Sequence, residues 1–211
     1  MVKEVWPYLI AGLLLTLLLA ALAPPVVAGI AAVLTIFVAS FFRDPRRVVP
    51  SDPSLILSPA DGKVVGIAPA PPGSPAAGPC VSIFLSVFNV HVNRAPAAGR
   101  VSAIQYTPGS FLPAFREKAS ELNEQNLISI QTDRGPMAVK QIAGLIARRI
   151  RCWTKPGDQV AQGQKIGFIT FGSRVDIFLP HEALLKVRVG DKVRGGLSVI
   201  AVHSQGGSPA R

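Results

Sequence analysis

The sequence predicts a mostly β chain of the α+β class: a barrel-sandwich-hybrid-like β domain preceded by an N-terminal hydrophobic helical hairpin. Three observations carry this. Two uncharged runs, 8–23 and 26–42, open the chain on either side of Pro24-Pro25. Beyond Arg43, short apolar stretches alternate with Gly and Pro punctuation, the pattern of many short strands. Near the C-terminus a unit occurs twice, GDQVAQGQKIGFI at 157–169 being echoed by GDKVRGGLSVIA at 190–201.

Each uncharged run, if helical, is about 24 to 26 Å long at about 1.5 Å per residue, slightly short of a hydrocarbon core of about 30 Å. A hairpin therefore fits better than two deep spans. Pro24-Pro25 is its natural apex, because proline removes backbone donors and restricts the residue before it. Lys3 precedes the first run and Arg43, Arg46 and Arg47 follow the second, so the positive-inside bias puts both ends in the cytoplasm. A cleaved signal peptide fits poorly: the second run follows at once, and no small-residue cleavage site leads into a polar start. A buried hairpin of a soluble protein is the other alternative. The expected division is a membrane-associating hairpin at 1–42 and a globular domain at 43–211.

The formal charge is +10, from 22 basic and 12 acidic residues. Only Lys3 and Glu4 precede the domain, so the whole excess belongs to it. A basic domain tethered to a membrane is drawn to anionic headgroups, by about 1 kcal/mol per basic residue near the surface. Nucleic acid, the competing partner for such charge, ranks below it and is not expected, because the basic residues are scattered among β-like segments without stacking aromatics. Cys80 and Cys152 stand alone, without CxxC spacing or clustered histidines, and read as reduced thiols rather than a disulfide or a metal site.

Strands are expected at 55–57, 63–67, 81–92 and 99–106, a loop at 69–79, and a helix at 114–125, which is charged and poor in β-branched residues. Each copy of the repeated unit reads as a tight Gly-Asp turn, a strand, a Gly turn and another strand. Similar units build lipoyl- and biotinyl-type domains. A carrier of that kind needs a modifiable lysine at an exposed hairpin turn, and no such turn is present.

Four segments hold the residues suited to chemistry. Ser58-Pro59-Ala60-Asp61-Gly62-Lys63 frames an acid in a turn, and Phe88-Asn89-Val90-His91-Val92-Asn93-Arg94 puts a histidine on a β-like run. Lys118-Ala119-Ser120-Glu121-Leu122-Asn123-Glu124 is polar and helical in character. The fourth is Phe171-Gly172-Ser173-Arg174-Val175-Asp176. By itself its Gly-Ser pair reads as a turn.

Taken together these segments resemble the phosphatidylserine decarboxylase family, in its short form with an FGSR-type processing site. The match runs from FFRDPRR at Phe41 through SPADGKV, FLSVFNVHVNRAPAAGRV, KASELNEQN and GLIARRI to GDKVRGG. The resemblance implies a proenzyme. Ser173 attacks the Gly172 carbonyl, and the chain parts into a large piece, 1–172, and a small piece, 173–211, headed by a covalent pyruvoyl group made from Ser173. A Schiff base between that group and phosphatidylserine in an anionic membrane then leads to phosphatidylethanolamine. Gly172 suits the first step, since without Cβ it tolerates strained backbone and lets the hydroxyl approach. The implied setting is the cytoplasmic face of the cell membrane, with the two chains as a heterodimer or a higher oligomer.

The same resemblance implies a triad of Asp61, His91 and Ser173, by the logic of a carboxylate fixing an imidazole; His181 reads as a surface residue. Longer family members carry a second histidine three positions on, where this chain has Arg94. That arginine either holds a phosphate or carboxylate through its fork of donors or is an exposed residue at a strand end. Lys118 and Asn123 are candidate lipid-phosphate contacts, and Phe84, Phe88, Phe111 and Phe171 candidate apolar walls. Two alternatives stay open: a non-catalytic membrane-anchored adaptor, and a decarboxylase of an archaeal-type ether lipid with the same headgroup.

Overall fold

The computed structural model describes residues 1–110, 122–144, 149–170 and 173–203. They form two compact units, Met1–Arg46 and Arg47–Arg211.

Proline sets the break in the first unit. A short 3-10 turn, Lys3–Val5, leads into α1 (Trp6–Leu22); Ala23 and Pro24 are extended, and α2 (Pro25–Phe41) begins on Pro25. The missing N–H of a proline in the first turn costs the helix nothing. Gly12 faces Thr35 across the pair, and Thr35 returns its hydroxyl to the Ala31 carbonyl at 2.8 Å. Small residues of this kind let apolar helices approach closely. Leu13, Leu14, Leu17, Ile30, Val33 and Ile36 remain exposed. The stretch Lys3–Leu22 is long and apolar enough to cross a membrane, and Pro25–Phe41 is shorter.

The second unit is built from antiparallel strands. In chain order these are β1 (Leu55–Leu57), β2 (Gly62–Pro69), β3 (Pro79–Leu85), β4 (Val92–Arg94), β5 (Gly99–Thr107), β6 (Gln125–Thr132) and β7 (Gly135–Ile142). They continue as β8 (Ile150–Cys152), β9 (Gln159–Val160), β10 (Lys165–Ile169), β11 (Ser173–Phe178), β12 (Ala183–Leu185), β13 (Lys192–Val193) and β14 (Val199–His203). Eight of them form one sheet in the order β13-β2-β3-β11-β7-β6-β5-β9, beside two three-stranded sheets, β1-β14-β12 and β4-β10-β8. Period-2 alternation sets the core: Val64, Val81, Ile83, Val101, Ile128, Ile130, Val139, Val175 and Ile177 are all fully buried in one cluster.

The repeated C-terminal unit takes equivalent places twice. Its first strands, β9 and β13, close the two edges of the large sheet, and its second strands, β10 and β14, lie at the centres of the two small sheets. A second internal likeness, between PADGKV at 59–64 and PAAGRV at 96–101, becomes plain only in the fold. Leu57 donates its N–H to the Pro96 carbonyl and Arg94 donates to the Pro59 carbonyl, tying the two turns together. Gly62 lies against the Phe84 carbonyl and Gly99 against the Gln131 carbonyl, so close that neither position has room for a Cβ.

Two expectations need correction. The stretch 81–92 is not one strand: β3 ends at Leu85, and Asn89 folds back so that its Oδ1 accepts from the Ser86 N–H at 2.9 Å and the Ser86 hydroxyl at 2.8 Å. A short amide side chain here competes with the ladder and starts a turn. The expected helix at 114–125 lies outside the described residues as far as 121. Of its described end Leu122 is helical, but Asn123 bridges to Ser110 and Gln125 opens β6, pairing with Thr107 and Ile142. The alternating run that follows carries residues into the core on every second position, and this decides for strand.

Gly99→Ala places a methyl against backbone, which cannot give way. In a Ser173→Ala background it is expected to lower stability by about 2–3 kcal/mol in chemical denaturation; an unchanged midpoint would refute the close approach.

Candidate active site

Ser173 is the first residue of β11, opposite Leu85 at the end of β3. On the neighbouring small sheet, Phe168 of β10 pairs with Val92 of β4, and the Ile169 N–H donates to the His91 carbonyl at 3.3 Å. The residues that flank the β3–β4 connection are therefore held by two ladders, Leu85 against β11 and Val92 against β10. Ser173, far from His91 in sequence, pairs with the residue before that connection, and His91 is the residue that ends it. Phe171 and Gly172 lie outside the described residues.

The Ser173 side chain is fully buried, and its Oγ has no hydrogen-bond partner among the described residues. A buried hydroxyl left in this way is uncommon and calls for a reason. On the other face of β11, the Arg174 Nε donates to Asp176 Oδ1 at 2.6 Å and its Nη2 to Ser82 Oγ at 2.6 Å. These charge-assisted bonds pin the first residues of the strand.

His91 is fully buried, with its ring edge-on to Phe168 at 6.5 Å between centroids. Its Nδ1 lies 2.9 Å from the Asn89 carbonyl oxygen. A carbonyl only accepts, so Nδ1 carries the proton of the neutral ring and Nε2 the basic lone pair. The group that orients the imidazole is thus the backbone of the Ser86–Asn89 turn.

Asp61 is held by other partners. Its carboxylate accepts both Arg47 Nη groups, at 2.6 and 2.8 Å, and the Gly195 N–H at 2.8 Å. It makes no hydrogen bond to His91, so the expected Asp61–His91 link is replaced by one to Arg47. The pair is largely enclosed, the Arg47 and Asp61 side chains being 6% and 12% exposed, and Arg47 also donates to the Gly195 carbonyl. The role first given to Arg47, a charge flanking a membrane segment, is therefore corrected: it is an internal counter-ion.

With this geometry in place, comparison with known proteins becomes informative. A family model described as "Phosphatidylserine decarboxylase" matches residues 34–201. The chain belongs to the phosphatidylserine decarboxylase family. It is 46% identical over 201 residues to the phosphatidylserine decarboxylase proenzyme of Desulfotalea psychrophila and to that of Ralstonia pickettii, with 94% of each chain covered. A Burkholderia cenocepacia proenzyme of the same name is 42% identical over 205 residues, covering 96% of both chains.

Other residues proposed from the family pattern fall as follows. Arg94 is buried rather than exposed at a strand end; its Nη1 donates to the Gly163 carbonyl at 3.0 Å, and its Cδ packs against Gly196. It thereby links the two Gly turns of the repeat, both of which adopt positive φ. Asn123 is buried and gives its amide to the Ala143 carbonyl at 2.7 Å. Lys118, Phe111 and Phe171 lie outside the described residues. Phe84 is half-buried, whereas Phe88 is 72% exposed and walls no interior pocket. His181 is exposed, as expected. Burial, with a further push from the Asp176 carboxylate, raises the Cys80 thiol to about 12, which suits an inert core thiol.

Sequence reasoning missed Arg47, Asn89 and Arg174. The only signal for Arg47 was its place in FFRDPRR. Also missed was a buried amide network in which Gln141 Nε2 donates to Asn93 Oδ1 at 2.8 Å and Asn126 Nδ2 donates to Gln141 Oε1 at 3.0 Å.

Removing one member of the Arg47–Asp61 pair leaves the other as an enclosed, unbalanced charge. Arg47→Met is expected to cost about 3 kcal/mol in the Ser173→Ala background, and Arg47→Met/Asp61→Leu clearly less than the two single changes added together. Strict additivity in denaturation would show that the pair is not coupled.

Proposed function

We propose that this chain is a proenzyme that cuts itself between Gly172 and Ser173 and then decarboxylates phosphatidylserine to phosphatidylethanolamine. The observation that supports this best is the buried Ser173 hydroxyl, without a hydrogen-bond partner among the described residues, at the start of a strand bonded on both sides.

In the first reaction Ser173 Oγ adds to the Gly172 carbonyl, the C–N bond breaks, and the acyl group passes from nitrogen to oxygen. An unactivated hydroxyl is a weak nucleophile, and His91 Nε2, fixed by the Asn89 carbonyl, takes its proton. Loss of the Ser173 Cα proton expels the ester oxygen, leaving Gly172 as a carboxylate and residue 173 as a dehydroalanine. Its enamine tautomerises to an imine, water adds and ammonia leaves, and a pyruvoyl group remains. Asp61 belongs to the site through a cavity it shares with Asn89, not through the imidazole.

The buried serine suits this origin for the cofactor, because a group made in place needs no entry path. When formed, the pyruvoyl carbonyl supplies an electrophile for the substrate amine and a sink for the electrons left by carbon dioxide. The chain's own task is to hold the headgroup out of water and to return a proton, for which His91 is the buried titratable group. The small piece stays with the large one as a heterodimer, since β11 lies between β3 and β7 while β13 pairs with β2 and β14 with β1. The exposed apolar faces of α1 and α2 make the membrane the place of work, with the basic domain on the cytoplasmic side. An ether lipid with a serine headgroup would undergo the same chemistry.

Intact-mass analysis tests this reading. The wild-type chain is expected to appear as two pieces that together account for the 22.3 kDa polypeptide, the small one beginning with pyruvoyl. Ser173→Ala is expected to stay whole and release no carbon dioxide, and His91→Ala to slow cleavage by about 10²-fold or more. A single full-length wild-type species with an ordinary serine would overturn the proposal.

A further inference from the structure

A cavity of about 640 Å³ opens at the end of the large sheet where β11 starts, with Lys63, Lys192 and Arg194 on its wall together with Phe84, Ser86 and Asn89. Phe84 and Ser86 flank Leu85, the residue opposite Ser173, and Asn89 supplies the carbonyl that holds His91. The cavity is therefore lined by neighbours of both residues of the proposed reaction.

Its charge is unbalanced. Lys63 and Lys192 stand directly opposite each other in the β2–β13 ladder, an arrangement that costs stability when nothing lies between the like charges. Arg194 adds a third cation two residues further along. Among the described residues none of the three side chains forms an ion pair or hydrogen bond. Asp61 also lines the cavity, but Arg47 already neutralises it through a two-pronged pair. A concave site lined by three unmatched cations is built for an anion with several oxygens.

We infer that Lys63, Lys192 and Arg194 form the subsite for the substrate's phosphodiester. This rests on the decarboxylase reading above and names the part of the headgroup that the reacting carbonyl does not touch. The phosphorus of phosphatidylserine is only a few bonds from the carbon that loses carbon dioxide, so an anion held here leaves the amino acid end beside Ser173. Phe88, on the same turn as Ser86 and Asn89, is 72% exposed. An exposed apolar ring on the turn whose Ser86 and Asn89 line the cavity suits a phosphodiester carried by a lipid rather than free phosphate.

The test uses the full-length triple variant Lys63→Gln/Lys192→Gln/Arg194→Gln. Self-cleavage is expected to proceed as in the parent, while KM for phosphatidylserine in micelles of an uncharged detergent rises about tenfold or more and kcat stays within about twofold. Inorganic phosphate at millimolar concentration is expected to inhibit the parent weakly and the variant not at all. An unchanged KM would overturn the inference. So would a variant that keeps its micellar KM and loses only binding to phosphatidylcholine vesicles doped with phosphatidylglycerol, since the cations would then serve general attraction to the bilayer. Should the triple variant fail to cleave itself, Lys192→Gln and Arg194→Gln singly decide by the same KM reading. A parent chain that neither cleaves nor releases carbon dioxide refutes the decarboxylase reading itself; an active parent beside an unaffected variant refutes only the subsite.

Discussion

Strand β11 is hydrogen-bonded on both sides, to β3 and to β7, and the arrangement of the candidate site follows from that. A central strand has its N–H and C=O groups satisfied laterally, so its position does not depend on continuity with the residue before it. The bond proposed to break lies immediately ahead of such a strand. Cutting there removes a covalent link but no ladder. The Arg174 bonds to Asp176 and Ser82 reinforce the same point on the outer face, holding the first turn of β11 whether or not a peptide bond precedes Ser173.

The internal symmetry explains how the segments that carry His91 and Ser173 are placed. Each copy of the repeated unit supplies one edge strand to the large sheet and one central strand to a small sheet. The first copy ends in β10, which pairs with β4, the strand that His91 precedes, while β11 pairs with β3 at the other end of the same connection. Gly62 and Gly99 make the packing possible, each pressing against a carbonyl of the next strand. Arg94 then fills the space between the Gly turns at Gly163 and Gly196. The position three residues after His91 is thus occupied by a residue that packs the interior, and His91 is the histidine of this segment.

Charge is divided between two uses. Arg47 and Asp61 neutralise each other inside the domain, where an unpaired carboxylate would be expensive to bury. Lys63, Lys192 and Arg194 remain unmatched at the cavity beside them. The basic excess seen in the composition is therefore not only a diffuse attraction to anionic surfaces. Part of it is gathered on one concave wall near the proposed reacting groups, where three like charges act on an anion together.

The sequence by itself determined the elements governed by local physics. Pro24-Pro25 broke the apolar run into a hairpin because proline cannot continue a helix backbone, and the Gly-Asp units became paired turns because glycine alone takes their positive φ readily. It also marked Ser173 and His91, because FGSR and the histidine segment are contiguous motifs. It misjudged 81–92, where the Asn89 side chain competes with the ladder, and the end of 114–125, where pairing with β5 and β7 outweighs helical composition. Only the tertiary structure decided the partners of Asp61, the orienting group of His91 and the gathering of three cations at one cavity. Each depends on residues brought together by strand register, and register is set by the whole sheet burying its inner face at once rather than by any short stretch of chain.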